Sequence, residues 1–160
     1  MGIDPGLATM GWGVVETAPR LTLLDAGVVT TGPDMRFPER LHAIFLRTGE
    51  LLARWEPEEI VFEELFFAKN ITTAMNVSAA RGVALCACAD AGLPLYEYTP
   101  MQIKQAVTGY GKADKAQVQQ MVKMMLSLPQ IIRPDDAADA VAAALTHAAS
   151  GRMKEQFLMK

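Results

Sequence analysis

Cysteine and histidine are scarce, with two of each in 160 residues. Two cysteines build no disulfide framework. Cys86 and Cys88 fall two apart in a helix-like run, about 200° apart around such a helix, so they cannot share a metal. Both are expected as small apolar core residues. No apolar run reaches the roughly 20 residues of a membrane span. The N-terminus lacks the charged-then-apolar pattern of a secretory leader, so a cytoplasmic protein with no membrane partner is expected. Internal repeats and low-complexity stretches are absent too. Strong charge of one sign is missing: the net value is −3, which by itself counts against a nucleic-acid partner.

What is present is apolar residue in quantity, 51% of the chain. That argues for one packed domain over 1–160, with residues 151–160 as a tail, burying about 70% of its unfolded surface. Trp12–Glu16 and Leu21–Thr30 are β-rich and separated by a turn containing Pro19, a hairpin pattern. From Phe37 to Trp55 the apolar residues Leu41, Ile44, Phe45, Leu51 and Leu52 recur at helical spacing. Ile60-Val61-Phe62 reads as a short buried strand. A helix from about Thr72 to Ala91 should stop at Gly92. Leu95–Tyr98 is another short strand, Met101–Val107 a short helix, and Asp114 an N-cap for a helix running to Leu126. The last helix should run from Pro134 to about Ala149. This order predicts an α/β fold with a mixed sheet, its early strands antiparallel and its later ones joined through helical crossovers, with helices on both faces.

The informative residues are acids far apart in the chain. Asp4 lies in Gly2-Ile3-Asp4-Pro5-Gly6, a strand end followed by a turn signal. Glu63 and Glu64 close the strand that begins at Ile60 and point to opposite faces. An acid ending a buried apolar strand is costly unless it is paired. Asp135, Asp136 and Asp139 open the alanine-rich last helix, where acids also favour the helix dipole. Asp136 and Asp139 share a face at i,i+3, and Asp135 and Asp139 at i,i+4, so spacing leaves that choice open. If the first and fourth strands pair in parallel, Asp4 and Glu63 stand together at their carboxyl ends, where open α/β sheets bind ligands. Clustered carboxylates repel without a cation, and hard divalent ions such as Mg²⁺ take such oxygen ligands. The set therefore points to metal-assisted phosphodiester hydrolysis.

Charge distribution then matters more than its sum. With four of the eighteen acids set aside as metal ligands, fourteen remain against fifteen bases. Residues 65–133 hold seven bases (Lys69, Arg81, Lys104, Lys112, Lys115, Lys123 and Arg133) and only three acids. The middle of the chain can face phosphate. His147, eight residues past Asp139 and about 12 Å further along the helix axis, is too distant to join the ligands and is expected to be structural. His42 carries no signal. The methionines fit core or dimer packing.

Gly2-Ile3-Asp4-Pro5-Gly6 with Gly11-Trp12-Gly13, then Glu63 to Asn70, Ala80-Arg81-Gly82, and Asp136-Ala137-Ala138-Asp139-Ala140 with Thr146-His147 closely resemble the RuvC family of bacterial Holliday junction resolvases. The blocks occur in the family's order and spacing over nearly the whole chain. The resemblance implies a ribonuclease H-like, five-stranded mixed sheet flanked by helices. It implies a homodimer working in DNA recombination and repair with the RuvA and RuvB branch-migration proteins. Each subunit would nick one of two like-polarity strands of a four-way junction, leaving 5′-phosphate and 3′-hydroxyl ends. It selects Asp136 and Asp139 over Asp135, to act with Asp4 and Glu63 around two Mg²⁺ ions. Lys104 and Lys115 match lysines near the scissile phosphate, Lys115 with a catalytic share. Phe66 matches an aromatic that stacks near the crossover, and Lys69 and Arg81 are expected as contacts to backbone phosphate. Only three residues precede Asp4, where the family has a longer first strand: either the central strand is short or the sequence begins part-way along it.

Three other readings compete. A ribonuclease H-like enzyme acting on RNA or RNA–DNA hybrids would use the same carboxylates. A phosphotransferase of the actin and sugar-kinase type also ends its first strand in Asp-x-Gly, but needs two such domains. An idle DNA-binding scaffold would have no use for four acids.

Overall fold

The computed structural model describes residues 1–65 and 71–160. The β-rich opening forms the antiparallel half of a sheet: β1 (Gly2–Asp4), β2 (Thr9–Glu16) and β3 (Thr22–Thr30). β4 (Ile60–Glu63) and β5 (Leu95–Tyr98) add in parallel, in the order β3-β2-β1-β4-β5. The helices are α1 (Phe37–Trp55), α2 (Ile71–Asp90), α3 (Pro100–Thr108), α4 (Lys115–Met125) and α5 (Asp135–Ser150), and the tail is a 3-10 segment, Gly151–Phe157. The mixed sheet and its crossovers are those the element order predicts, and the short β1 sits at the centre.

Strand alternation assigns each side chain to a layer. Ile3, Met10, Trp12, Val14, Ile60 and Phe62 turn to one face and pack with Ile44 and Leu52 of α1 and Ala80, Ala84 and Cys88 of α2. Val61, Tyr96 and Tyr98 turn to the other and pack with Ile103, Val107, Val118, Val122, Val141 and Leu145 from α3, α4 and α5. Ile3, Phe62 and Ile44 are completely buried, each side chain contributing about 1.5–3 kcal/mol. Cys88 is buried in this core but Cys86 is exposed, which corrects the expectation for that residue. The angular separation that keeps the thiols apart also sends one of them to solvent.

Two local devices place the chemistry. Asp114 caps α4, accepting a bond from the Gln117 backbone N–H at 2.8 Å while the Gln117 side chain accepts from the Asp114 N–H at 2.9 Å. This reciprocal cap fixes the turn that carries Lys115. Under α5 the sheet is paved with glycine. A Cβ on Gly11 would lie 2.0 Å from the Asp136 carbonyl oxygen, and one on Gly2 the same distance from that of Ala140. Only hydrogen fits there, so the alanine-rich α5 lies directly on β1 and β2. Gly11→Ala would push the helix, and with it Asp136, off the strands.

Candidate active site

In the β1–β4 pairing Gly2 stands beside Val61 and Ile3 beside Phe62. The same register carried one residue on sets Asp4 next to Glu63 at the carboxyl ends of two parallel strands. Both share the face that carries Gly2 and Val61, the face covered by α5. α5 runs antiparallel to these strands, and its first turns, with Asp136 and Asp139, lie over the same end. Glu64, next in the chain, is exposed.

Electrostatics shows how tightly the acids are gathered. Asp4 is pushed up to about 8, first by burial out of water and then by the charges of Glu63, Asp139 and Asp136, with Lys115 opposing. Glu63 is pushed up to about 7 by burial and by Asp139, with Lys104 and Lys115 opposing. Asp139 is also raised, by burial, against the pull of Lys115. These are the marks of carboxylates held together without enough positive charge. Lys115 Nζ donates to Asp139 at 2.8 Å and lies 3.6 Å from Asp135. Burial works to lower this lysine, but Asp139, Asp135 and Asp136 outweigh it and hold it above its usual range. Asp135 is the outlier of the acidic trio: it is held below the usual range first by the Gln119 side chain and then by Lys115 and Arg133, which outweigh its burial.

The other expected contacts divide. Lys104 is half-buried on α3 and close enough to Glu63 to oppose its rise. Arg81 sits on the α2 face, its guanidinium paired with Glu97 and 5.9 Å over the Phe62 ring. Its side chain is only 20% exposed. Phe66 and Lys69 lie outside the described residues. A cleft of about 950 Å³ lined by Trp55, Glu59, His147 and Lys154 contains none of the four acids.

The family model for the crossover junction endodeoxyribonuclease RuvC matches residues 1–147. The chain belongs to the RuvC family. It is 49% identical to the crossover junction endodeoxyribonuclease RuvC of Alkaliphilus metalliredigens (strain QYMF), over 100% of this chain and 98% of that one. Against the protein of the same description from Roseiflexus sp. (strain RS-1) the identity is 53%, over 92% and 88%. The structure of T. thermophilus RuvC in complex with Holliday junction substrate superposes with a TM-score of 0.86 at 42% identity, covering 95% of this chain and 93% of that one. The ribonuclease H-like fold of RuvC is therefore the fold of this chain.

A divalent cation fits this donor set. All four donors are carboxylate oxygens, two of them pushed near neutrality by one another and by burial. Among the described residues no three His, Cys, Asp or Glu side chains close into a cage around one point. Carboxylate oxygens of this kind suit a hard divalent cation, whose shell water and substrate phosphate complete.

Sequence reasoning missed the glycine seat as a positioning device, although alternating glycines in β2 and an alanine-rich helix were both visible. It also missed Glu59, whose partners are distant in the chain. His147 is the structural residue expected: 8% exposed, it meets the Tyr98 hydroxyl at 2.9 Å and Glu59 Oε2 at 2.9 Å.

Proposed function

We propose that this chain is a metal-dependent endonuclease that resolves four-way DNA junctions by paired, symmetric nicks. The observation that carries the reading is the acid cluster at the shared end of β1 and β4, roofed by α5 and edged by Lys115. Asp4, Glu63, Asp136 and Asp139 would hold two Mg²⁺ ions, Asp4 from the centre of the set. Bound there, the metals would acidify a water for in-line attack and stabilise the leaving 3′-oxygen. The chain's own share is to keep the four carboxylates partly dehydrated and mutually repelling, so that they hold cations firmly. Lys115, half exposed, can turn from Asp139 to the scissile phosphate and offset charge that develops there. Lys104 supports the same end beside Glu63, and Phe66 and Lys69, next along from β4, would meet the bases and backbone at the crossover. Arg81 would reach phosphate only by leaving Glu97.

A junction with two-fold symmetry calls for two sites related by the same axis, which a homodimer supplies. Work on chromosomal DNA with RuvA and RuvB in the cytoplasm completes the reading. Among the described residues no helix is long and apolar enough to cross a membrane. The test uses a labelled synthetic four-way junction, its component linear duplex and an RNA–DNA hybrid, each with Mg²⁺ and with chelator. Paired nicks near the crossover, dependent on metal and lost in Asp4→Asn, are expected. Cleavage of the hybrid in place of the junction would overturn the reading in favour of an RNA-directed enzyme.

A further inference from the structure

The opposite end of the same two elements carries a second polar group, built from residues the chemistry does not use. Glu59 immediately precedes β4, and His147 lies near the end of α5. Glu59 accepts from Lys154 and pairs with His147 Nε2 at 2.9 Å. His147 Nδ1 meets the Tyr98 hydroxyl at 2.9 Å, and Phe157 packs on the Tyr98 ring at 4.4 Å between centroids. Burial holds the imidazole below its usual range, against the pull of Glu59. With the ring neutral and Nε2 donating to the Glu59 carboxylate, Nδ1 is left to accept from the Tyr98 hydroxyl, whose one proton Ser150 Oγ at 3.1 Å also faces.

The spacing along the two elements matches. From Asp139 to His147 is eight residues of helix, about 12 Å. From Glu63 to Glu59 is four residues of strand, about 13 Å. Because α5 runs antiparallel to β4, Glu59–His147 lies one such length behind Glu63 and Asp139. Between these two levels α5 meets the sheet mostly through alanine and glycine, with Val141 seated over Gly13 and Leu145 in the core. That contact sets the height of the helix, and a polar pair at its far end adds a directional tie to it. The part-buried, directional hydrogen bond between Glu59 and His147 resists displacement of the helix along and around its axis.

We propose that Glu59–His147 is a positioning pair that sets the axial register of α5 on β4, and so the placement of Asp136 and Asp139 against Glu63 and Asp4. This rests on the nuclease reading. Groups hydrogen-bonded directly to metal ligands change activity or affinity about 10- to 100-fold. This pair lies about 12 Å behind them and acts through the helix, so the low end of that range is expected. Glu59→Gln, His147→Ala and the double variant would be compared with wild type in three measurements. These are thermal unfolding, steady-state nicking of the junction, and binding of Mn²⁺ in the absence of DNA. The expected result is kcat lowered about tenfold, KM little changed, Mn²⁺ binding weakened to match, and a double variant no worse than the worse single. Should His147→Ala fold poorly, Glu59→Gln keeps nearly the same shape and serves alone. Unchanged Mn²⁺ affinity, or a kcat loss that only follows the folded fraction, would overturn the proposal. If wild type fails to nick junctions, the nuclease reading falls, and the Mn²⁺ measurement still decides the positioning role.

Discussion

The two ends of the β1–β4 pair hold acids in opposite ways. At the carboxyl end, Asp4 and Glu63 are raised to about 8 and about 7 because burial and like charge outweigh two lysines. At the other end burial also works to raise Glu59, yet Lys154 and His147 outweigh it and hold it below its usual range. An undercompensated acid at the end of β4 and a compensated one just before its start thus stand four residues apart. The compensated end stabilises the fold. The undercompensated end opposes it and keeps free energy available for binding cations, the usual opposition between stability and activity at a site.

The largest expected effect comes from relieving the active end. Asp4→Asn should lower nicking by about 10³-fold or more, since several kcal/mol of charge stabilisation depend on the metals. The same change should raise the thermal midpoint measured in chelator, because it removes a buried, repelled carboxylate. A lower midpoint would show that the end is not strained in the way described. Next is Lys115→Ala, expected to slow nicking about 10²-fold, the scale of one lost electrostatic contact. Because that lysine is half exposed, the midpoint should move little at pH 7. A loss of stability rivalling the loss of rate would make Lys115 a structural tie instead.

Acidity separates the ends further. A carboxyl raised in the folded state gives stability that is present below its unfolded value and lost as pH rises through the folded one. Asp4 and Glu63 should therefore erode the fold between about pH 4 and pH 8 in chelator. Glu59 and His147, both lowered, act the other way, their contribution fading as pH falls below about 6.5 for the imidazole and again as Glu59 protonates. Thermal midpoints across this range should show a broad maximum. Asp4→Asn should flatten its alkaline side and Glu59→Gln its acid side, and a swap of those effects would break the comparison. The smallest change expected is the stability loss of Glu59→Gln at neutral pH, about 1 kcal/mol for weakened, part-buried hydrogen bonds, read by denaturant unfolding.

Much of this was legible beforehand because it is local. Apolar spacing marks α1 over Phe37–Trp55, and a strand propensity peak marks β5 at Leu95–Tyr98. The cap at Asp114 follows from residue types three apart. Cys86 was misplaced because separating two thiols does not say which one faces the core. Glu59 was invisible because its partners lie 88 and 95 positions away, and no period in the sequence spans such distances. Spacing alone likewise left Asp135 open against Asp136. In the structure Asp135 pairs with Arg133 and lies near Lys115, while Asp136 is among the charges that raise Asp4.

By itself, then, the sequence determined the elements, their order, the four acids and the family motif that unites them, since propensity, capping and motif spacing act over a few residues at a time. Only the tertiary structure decided that Asp4 and Glu63 stand level, that glycine lets α5 press its acids onto them, and that Lys115 answers Asp139. Those facts depend on register and on desolvation. Both arise only when distant segments meet and exclude water, and charges a hundred residues apart then share one low-dielectric space.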